Sequence, residues 1–194
     1  MARVMTFCDH SNFQICMKQY YESNAPKLDY VKLFDNIAGL IPNAELMRTT
    51  LFVPKPDDRL MQVNEYRQEY EWDISLNKFP RMEVLEGELR ANRRSPDHEI
   101  DINDKRTYTC EEKGVDVALT VDALRKAYNN AYDVAVFMSA DSDYINLYDA
   151  LRAMGKVVYV VVIDGQYITK VIPHIDEFKY LDKKFFKKCL RNNS

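Results

Sequence analysis

The stretch DVAVFMSADSDYINLYDALRAMGKVVYVVVI, residues 133–163, decides the fold. It begins with an apolar run at 133–138, passes through a polar loop and a helical segment, and ends with a second apolar run at 156–163. Continuous apolar runs are typical of strands buried on both faces of a parallel sheet. Gly155 stands where a helix before the second run would need a left-handed C-cap. The stretch therefore predicts a β-α-β unit.

The same alternation extends toward the N-terminus. Strands are predicted at 4–8, 45–53 and 82–90, the last of them near an edge of the sheet. Helices are predicted at 13–21, 30–40, from Asp57 or Asp58 toward Trp72, and at 115–131. The last helix has its apolar residues at three- and four-residue spacing: Val117, Val121, Leu124 and Tyr128. Together these elements predict an α/β fold, a mostly parallel sheet with helices on both faces.

Two segments depart from this alternation. Residues 91–112 are charged and nearly devoid of large aliphatic side chains, which predicts a loop or hairpin projecting from the body. A solvated insertion and a binding element are equally good interpretations of it. Residues 176–194 are predicted to form a basic amphipathic helix with Phe178, Leu181, Phe185 and Cys189 on one face. We expect one domain over 1–175, followed by this helix.

Composition excludes several classes of protein. At 194 residues the chain suits one domain, and its four cysteines form no C-x-x-C pair that would indicate zinc. The longest apolar run has seven residues, whereas a membrane-spanning helix needs about 20. We therefore expect no membrane association, and without a signal-peptide pattern we expect a cytosolic protein. The net charge of −3 argues against a generally basic nucleic-acid binder, so any such site is local or metal-bridged.

Polar side chains follow the predicted strands where a parallel sheet collects its functional groups. Asp9 and Asn12 follow the first strand, Ser139, Asp141 and Asp143 follow the strand at 133–138, and Asp116 begins a helix. Loops beyond the carboxyl ends of parallel strands converge on one crevice, so we expect the four carboxylates to meet. Asp, Ser and Asn after a strand also cap helices, so capping alone is the competing interpretation of Asp141, Ser142 and Asn12.

Carboxylates brought together repel unless protons, arginines or hard cations neutralise them. Oxygen ligands suit Mg²⁺ or Mn²⁺ better than zinc. A metal held by a few carboxylates keeps positions for water and phosphate oxygens, which indicates metal-assisted phosphodiester hydrolysis.

At this point three segments resemble the NYN domains of the PIN-like nuclease superfamily. They are FCDHSNF at 7–13, EKGVDVALTVDAL at 112–124 and FMSADSDYINLYDALRAMGKVVYVV at 137–161. The resemblance implies a Rossmann-like domain that binds Mg²⁺ or Mn²⁺ and cleaves RNA, with Asp9, Asp116, Asp141 and Asp143 as metal ligands. By the same resemblance Asn12 and Ser139 match supporting positions, and Ala140 replaces a usual glycine.

Other residues have weaker claims to the site. Lys113 could orient a carboxylate or touch phosphate, and His10 could contact substrate. Asp122 lies about 120° around the helix from Asp116 and is as well explained by a solvated face. The aromatic residues Tyr66, Tyr70, Trp72 and Phe79 could stack bases or belong to the core. Phosphate contacts are expected from the basic residues of the charged segment, Arg90, Arg93, Arg94, Lys105 and Arg106.

The sequence favours a metal-dependent endoribonuclease that uses an activated water. The alternative is a non-catalytic RNA-binding or protein-binding module, and DNA is not excluded because phosphate and metal chemistry do not distinguish the sugars. A haloacid-dehalogenase-type phosphatase needs D-x-D, whereas position 11 is Ser, and neither G-x-G-x-x-G nor a P-loop occurs. The predicted C-terminal helix could dock on the domain surface or contact a second copy or another protein.

Overall fold

The computed structural model describes residues 1–96 and 99–191. Asp97 and His98 of the predicted insertion, and 192–194 of the predicted C-terminal helix, lie outside the described residues. Within them one sheet has seven strands, all parallel to their neighbours except the fourth. The strands are β1 Ala2–Asp9, β2 Ala44–Pro56, β3 Met82–Arg93, β4 Tyr108–Lys113, β5 Val134–Met138, β6 Val157–Ile163 and β7 Glu177–Leu181.

Helices cover both faces of the sheet. They are α1 His10–Tyr20, α2 Tyr30–Ala38, α3 Asn64–Ser75, α4 Val115–Tyr128, α5 Ile145–Ala153 and α6 Lys183–Lys188. Short 3-10 turns occur at Leu60–Gln62, Leu76–Lys78, Ser142–Tyr144 and Ile172–His174. Helices α1, α2 and α6 contribute to one hydrophobic core, while α4 and α5 contribute to a second core on the other face. The predicted α/β fold is confirmed.

The spatial order β4-β3-β2-β1-β5-β6-β7 shows where the chain reverses direction. It starts at the central β1, moves outward through β2 and β3 to β4, and returns through α4 to β5 on the other side of β1. Adjacent strands whose connections leave in opposite directions open a crevice at their carboxyl ends. The crevice of this sheet therefore lies beyond the ends of β1 and β5.

Two features around β2 and β3 refine the predicted strands. β2 continues through Pro54 and Pro56, although we predicted its end at residue 53. β1 ends opposite Phe52, so Pro54 and Pro56 have no neighbouring strand on the β1 side of β2. Their missing N–H groups therefore remove no hydrogen bond from the sheet. β3 is the second strand from the edge, because the charged segment forms a hairpin whose return strand, β4, pairs with it. The predicted hairpin is confirmed.

Helix α4 buries a different face from the predicted one. Its buried residues are Val115, Leu119, Asp122, Ala123 and Ala127. The predicted apolar residues Val117, Val121 and Tyr128 are exposed by 60%, 58% and 84%. Small alanine side chains at this contact let the helix lie close to the sheet. The face with Val115 and Leu119 and the face with Val117 and Val121 both have helical spacing. The prediction that the second face is buried is wrong.

The predicted helix at 176–194 is wrong over its first part. Glu177–Leu181 forms β7, which pairs in parallel with β6 and covers that edge of the sheet. The helix begins only after Asp182, whose side chain caps it by accepting a hydrogen bond from the Phe185 amide at 2.7 Å. The backbone N–H and C=O groups of this segment form hydrogen bonds with β6 and do not need the bonds that a helix would supply.

Candidate metal site at the crevice of the sheet

Asp9 is the last residue of β1 and the N-cap of α1. One carboxylate oxygen, Oδ1, accepts a hydrogen bond from the Asn12 amide at 3.1 Å. The other, Oδ2, accepts one from the Tyr144 hydroxyl at 3.2 Å. Asp9, rather than Asn12, therefore caps α1, and its carboxylate has further lone pairs to offer.

Asp141 lies at the end of the neighbouring strand. Cys8 of β1 pairs with Met138 of β5, so Asp9 and the buried Ser139 follow side by side at the same edge. The Ser139 hydroxyl accepts a hydrogen bond from the Asp141 amide at 3.2 Å. Asp141 in turn caps the next turn by accepting one from the Asp143 amide at 2.9 Å. Asp141 and Asp143 are both exposed.

Asp9 and Asp141 are close enough to influence each other electrostatically. Burial raises the pKa of Asp9, and the negative charge of Asp141 raises it further. The hydrogen bonds from Asn12 and Tyr144, and the nearby His10, act in the opposite direction without cancelling the rise. The protein therefore stabilises the ionised form of Asp9 only in part.

A third carboxylate, Glu112 of β4, was missed in the sequence. The pKa of Glu112 is raised, mainly by burial and also by the charge of Asp9, while a hydrogen bond with Ser11 lowers it. Ser11 and Glu112 both line a cavity of about 210 Å³ beside the crevice. Glu112 is the first residue of the segment EKGVD, but the charged sequence of the hairpin does not indicate that it brings Glu112 next to α1.

Asp116 and Lys113 form no contact with Asp9 or Asp141 among those found in the described residues. Asp116 is exposed in the first turn of α4, which begins after Gly114 at a φ of +74°. Lys113 forms an ion pair of 3.5 Å with Glu111 on the same strand. In the described part of the chain no three His, Cys, Asp or Glu side chains lie close enough to hold a metal ion. The expected meeting of four carboxylates is therefore not found, and like charges without a counter-ion repel.

Asp122 and His10 are buried and form contacts outside the crevice. Asp122 is 3% exposed and pairs with Lys126 at 2.5 Å and Arg125 at 2.7 Å, so it is neither solvated nor part of the crevice. His10 is 1% exposed. Its Nε2 lies 2.8 Å from the Tyr30 hydroxyl and its Nδ1 lies 3.3 Å from Asp73. These contacts make His10 a poor candidate for reaching a substrate phosphate.

The basic residues predicted to contact phosphate are all exposed, but three of them are paired with carboxylates. Arg90 pairs with Glu88 on the same strand. Lys105 bonds to Glu65 at 2.5 Å, and Arg106 bonds to Asp104 at 2.8 Å. Arg94 donates to the Tyr108 carbonyl at 3.4 Å, and Arg93 lies opposite Tyr108 in the hairpin. Arg93 and Arg94 are thus the hairpin cations without a carboxylate partner among the described residues.

The donor set at the crevice can be compared with the needs of a divalent cation. Mg²⁺ is commonly held by one or two carboxylates and keeps several waters, whereas an enclosed protein site needs more ligands. Asp9 and Asp141 supply hard oxygen atoms from two adjacent strand ends, so the pair fits the first kind of site. Further ligands are then left to water and a phosphate group.

The fold and the site define an α/β protein with an acidic crevice at the switch point of a mostly parallel sheet. The chain belongs to the NYN domain family, whose model matches residues 3–182. This is a family of PIN-like nucleases. Among curated proteins no sequence matches the chain. The chain is similar in structure to a protein of unknown function from Vibrio parahaemolyticus, with a TM-score of 0.57 at 17% identity over 95% of both chains, a likeness of fold alone.

One further observation concerns the helices. Across residues 1–96 and 99–191, none is both long enough and apolar enough to pass through a bilayer.

Proposed function

We propose that the protein is a metal-dependent endoribonuclease with its active site at the crevice beyond β1 and β5. The observation that carries the proposal is that Asp9 ends β1 and Asp141 follows the end of the neighbouring β5, close enough for its charge to raise the pKa of Asp9. Membership of the NYN family supports a nuclease-type activity. RNA as the substrate and Mg²⁺ or Mn²⁺ as the cofactor are the finer parts of the proposal.

Asp9 and Asp141 would hold the cation, Asp143 lies in the turn that Asp141 caps, and Asp116 lies in the first turn of α4. When bound, Mg²⁺ or Mn²⁺ would supply an activated water and stabilise negative charge on the scissile phosphate. Ser139 acts as a positioning residue, because its hydroxyl holds the Asp141 backbone, and the backbone amide of Asn12 holds Asp9. Arg93 and Arg94 are the first candidates for contacts to the RNA backbone.

A second candidate function, a non-catalytic RNA-binding module, has one observation in its favour. Both oxygens of Asp9 already accept hydrogen bonds, and the described residues provide no cluster of three metal-binding side chains. A binding module has less reason to gather negative charge where phosphate approaches. We therefore rank it second.

The test is incubation of labelled single-stranded and hairpin RNA, and of the matching DNA, with Mn²⁺, Mg²⁺ or EDTA. Wild type should cleave RNA only with metal, and Asp141→Asn should be slower by at least about a hundredfold. Asp149→Asn, which makes the same change of charge on the exposed side of α5, should stay active. Mn²⁺ should also raise the Tm of wild type more than that of Asp141→Asn. Intact RNA with every metal, while RNA still binds, would favour the binding module.

A further inference from the structure

We infer that a second cavity, beside the middle of α1, binds one nucleotide of the RNA strand. Its volume is about 410 Å³, within the range of small-ligand pockets. Phe13, Tyr30 and Trp72 supply aromatic surface, and Lys18, Lys27 and Arg191 supply cations. This inference rests on the proposed function, because it takes RNA as the substrate.

The aromatic part of the cavity is set by Trp72. This side chain is 39% exposed although Tyr30 packs against it at 5.2 Å and His10 stacks on it at 5.9 Å. Neighbours on these sides hold the indole in place while part of it remains open to the cavity. A fixed aromatic side chain that is partly open offers a stacking surface for a nucleobase.

The cationic part is held by the C-terminal segment. The Arg191 amide donates to the Lys27 carbonyl at 3.1 Å, and Leu28 and Leu190 form an antiparallel bridge beside it. These bonds keep the two cations at the same end of the cavity. No ion pair engages Lys27 or Arg191 within residues 1–96 and 99–191. Although the net charge of the chain is −3, Lys27 and Arg191 thus lie beside an apolar pocket without an ion pair to a described residue. The pocket suits a nucleobase, and the two cations suit its phosphate.

The cavity is connected to the acidic crevice along one helix. Gln14 and Lys18 of α1 line both this cavity and the smaller one that contains Ser11 and Glu112. Ser11 and Lys18 are separated by about 10 Å along the helix axis. A strand with its scissile phosphate at Asp9 could therefore run along α1 and place a neighbouring nucleotide against Trp72. This continuity favours RNA over an acidic peptide as the occupant.

The first test uses Trp72, the single tryptophan of the chain, as a fluorescent probe. In EDTA, which prevents metal-dependent cleavage, 5′-AMP should quench the emission saturably, and adenosine should bind more weakly because it lacks the phosphate. Lys27→Ala/Arg191→Ala should weaken AMP binding by about tenfold or more while changing adenosine binding little. The matched control, Lys184→Ala/Lys188→Ala, removes the same charge from α6 and should leave AMP binding unchanged.

A second arm separates free nucleotide from RNA. A hexanucleotide should displace AMP and bind more tightly than AMP, whereas a hexaglutamate peptide should not displace it. No quenching at millimolar AMP, an equal loss in both double variants, or failure of the hexanucleotide to compete would each overturn the inference. If the hexanucleotide binds but RNA is never cleaved, the nuclease proposal fails and the pocket stands. If RNA is cleaved but AMP and hexanucleotide leave Trp72 unaffected, the pocket fails alone.

Discussion

The Tyr144 hydroxyl donates a hydrogen bond of 3.2 Å to Oδ2 of Asp9, and this bond joins the turn after β5 to the end of β1. A donor at this position favours the ionised carboxylate and lowers the pKa of Asp9. Burial and the charge of Asp141 act against it and raise the pKa overall. Tyr144 therefore influences how readily Asp9 carries the negative charge that a cation needs.

Replacing Tyr144 by Phe removes this donor and should raise the pKa of Asp9 further. Under the proposed function, the acidic limb of the pH–rate profile for RNA cleavage should therefore move to higher pH. The control is Tyr148→Phe, which removes a hydroxyl that donates to the Ser139 carbonyl at 3.5 Å. An equal shift in both variants, or no shift in Tyr144→Phe, would contradict a specific role of the Tyr144 hydroxyl.

Much of the fold followed from local sequence patterns. The apolar runs at β1, β5 and β6 could be identified because strands buried on both faces have no polar alternation to confuse them. The orientation of α4 could not, since Val115 and Leu119 compete with Val117 and Val121 at the same spacing. β7 was missed although the residues EFKY at its start alternate polar and apolar side chains, because this short signal was outweighed by the basic helical pattern that follows it.

The site divides in the same way. Asp9 and Asp141 were predictable because both follow strands, and adjacency of β1 and β5 brings their ends together. Tyr144 and Glu112 were not, since Tyr144 matched the apolar face of its helix and Glu112 reaches α1 through the hairpin. The structural role of Asp122 also could not be predicted. Its partner Lys126 binds Glu83 of β3, and this contact between α4 and the sheet depends on the folded structure.

The pair formed by Arg3 and Asp133 makes a prediction about pH. Arg3 binds both oxygens of Asp133 and its amide donates to Oδ2 at 2.8 Å, which lowers the pKa of Asp133 to about 2. A carboxyl whose pKa falls on folding adds stability above its unfolded pKa of about 4, and this is lost as pH falls through about 2. Asp133→Asn should therefore lower the Tm at pH 7, and the difference from wild type should close near pH 2.

Thermal unfolding of both proteins between pH 2 and pH 7 measures this difference. Asp164→Asn is a suitable control, because Asp164 is exposed after β6 and its side chain forms no ion pair within the described residues. A constant Tm difference at every pH would show that Asp133 acts through its backbone contact rather than through its charge.

Lys126 makes a prediction about stability. Its ammonium group bonds to Asp122 at 2.5 Å, Glu83 at 2.8 Å and the Thr50 hydroxyl at 2.8 Å. Lys126→Ala leaves Asp122 buried with a single partner, so the free energy of unfolding should fall by about 3 kcal/mol in a urea titration. Arg125→Ala removes the exposed partner and should cost less than about 1 kcal/mol.

Cleavage measured on folded Lys126→Ala decides between two roles for Asp122. An unchanged rate per folded molecule is expected if Asp122 serves the contact between α4 and the sheet. A large loss of rate without a loss of stability would instead return Asp122 to the site.

Gly87 of β3 makes a prediction about close packing. A Cβ at this position would lie 2.6 Å from Val115 Cγ2, 2.8 Å from the Lys113 carbonyl oxygen and 2.9 Å from the Val115 amide nitrogen. Two of these atoms are backbone atoms, one at the end of β4 and one at the start of α4, so they cannot rotate away as a side chain can. Gly87→Ala should lower the free energy of unfolding by about 1–3 kcal/mol, measured in urea.

A second substitution separates the two causes of that loss. In Gly87→Ala/Val115→Ala the contact with Cγ2 is gone but both backbone contacts remain, so stability should recover only in part relative to Val115→Ala alone. Gly39→Ala is the control, since its Cβ would lie 3.3 Å from the nearest atom, and its effect should stay below about 1 kcal/mol. Full recovery in the double variant would mean that the backbone yields. Partial recovery together with slower RNA cleavage would mean that the displaced start of α4, which carries Asp116, contributes to the site.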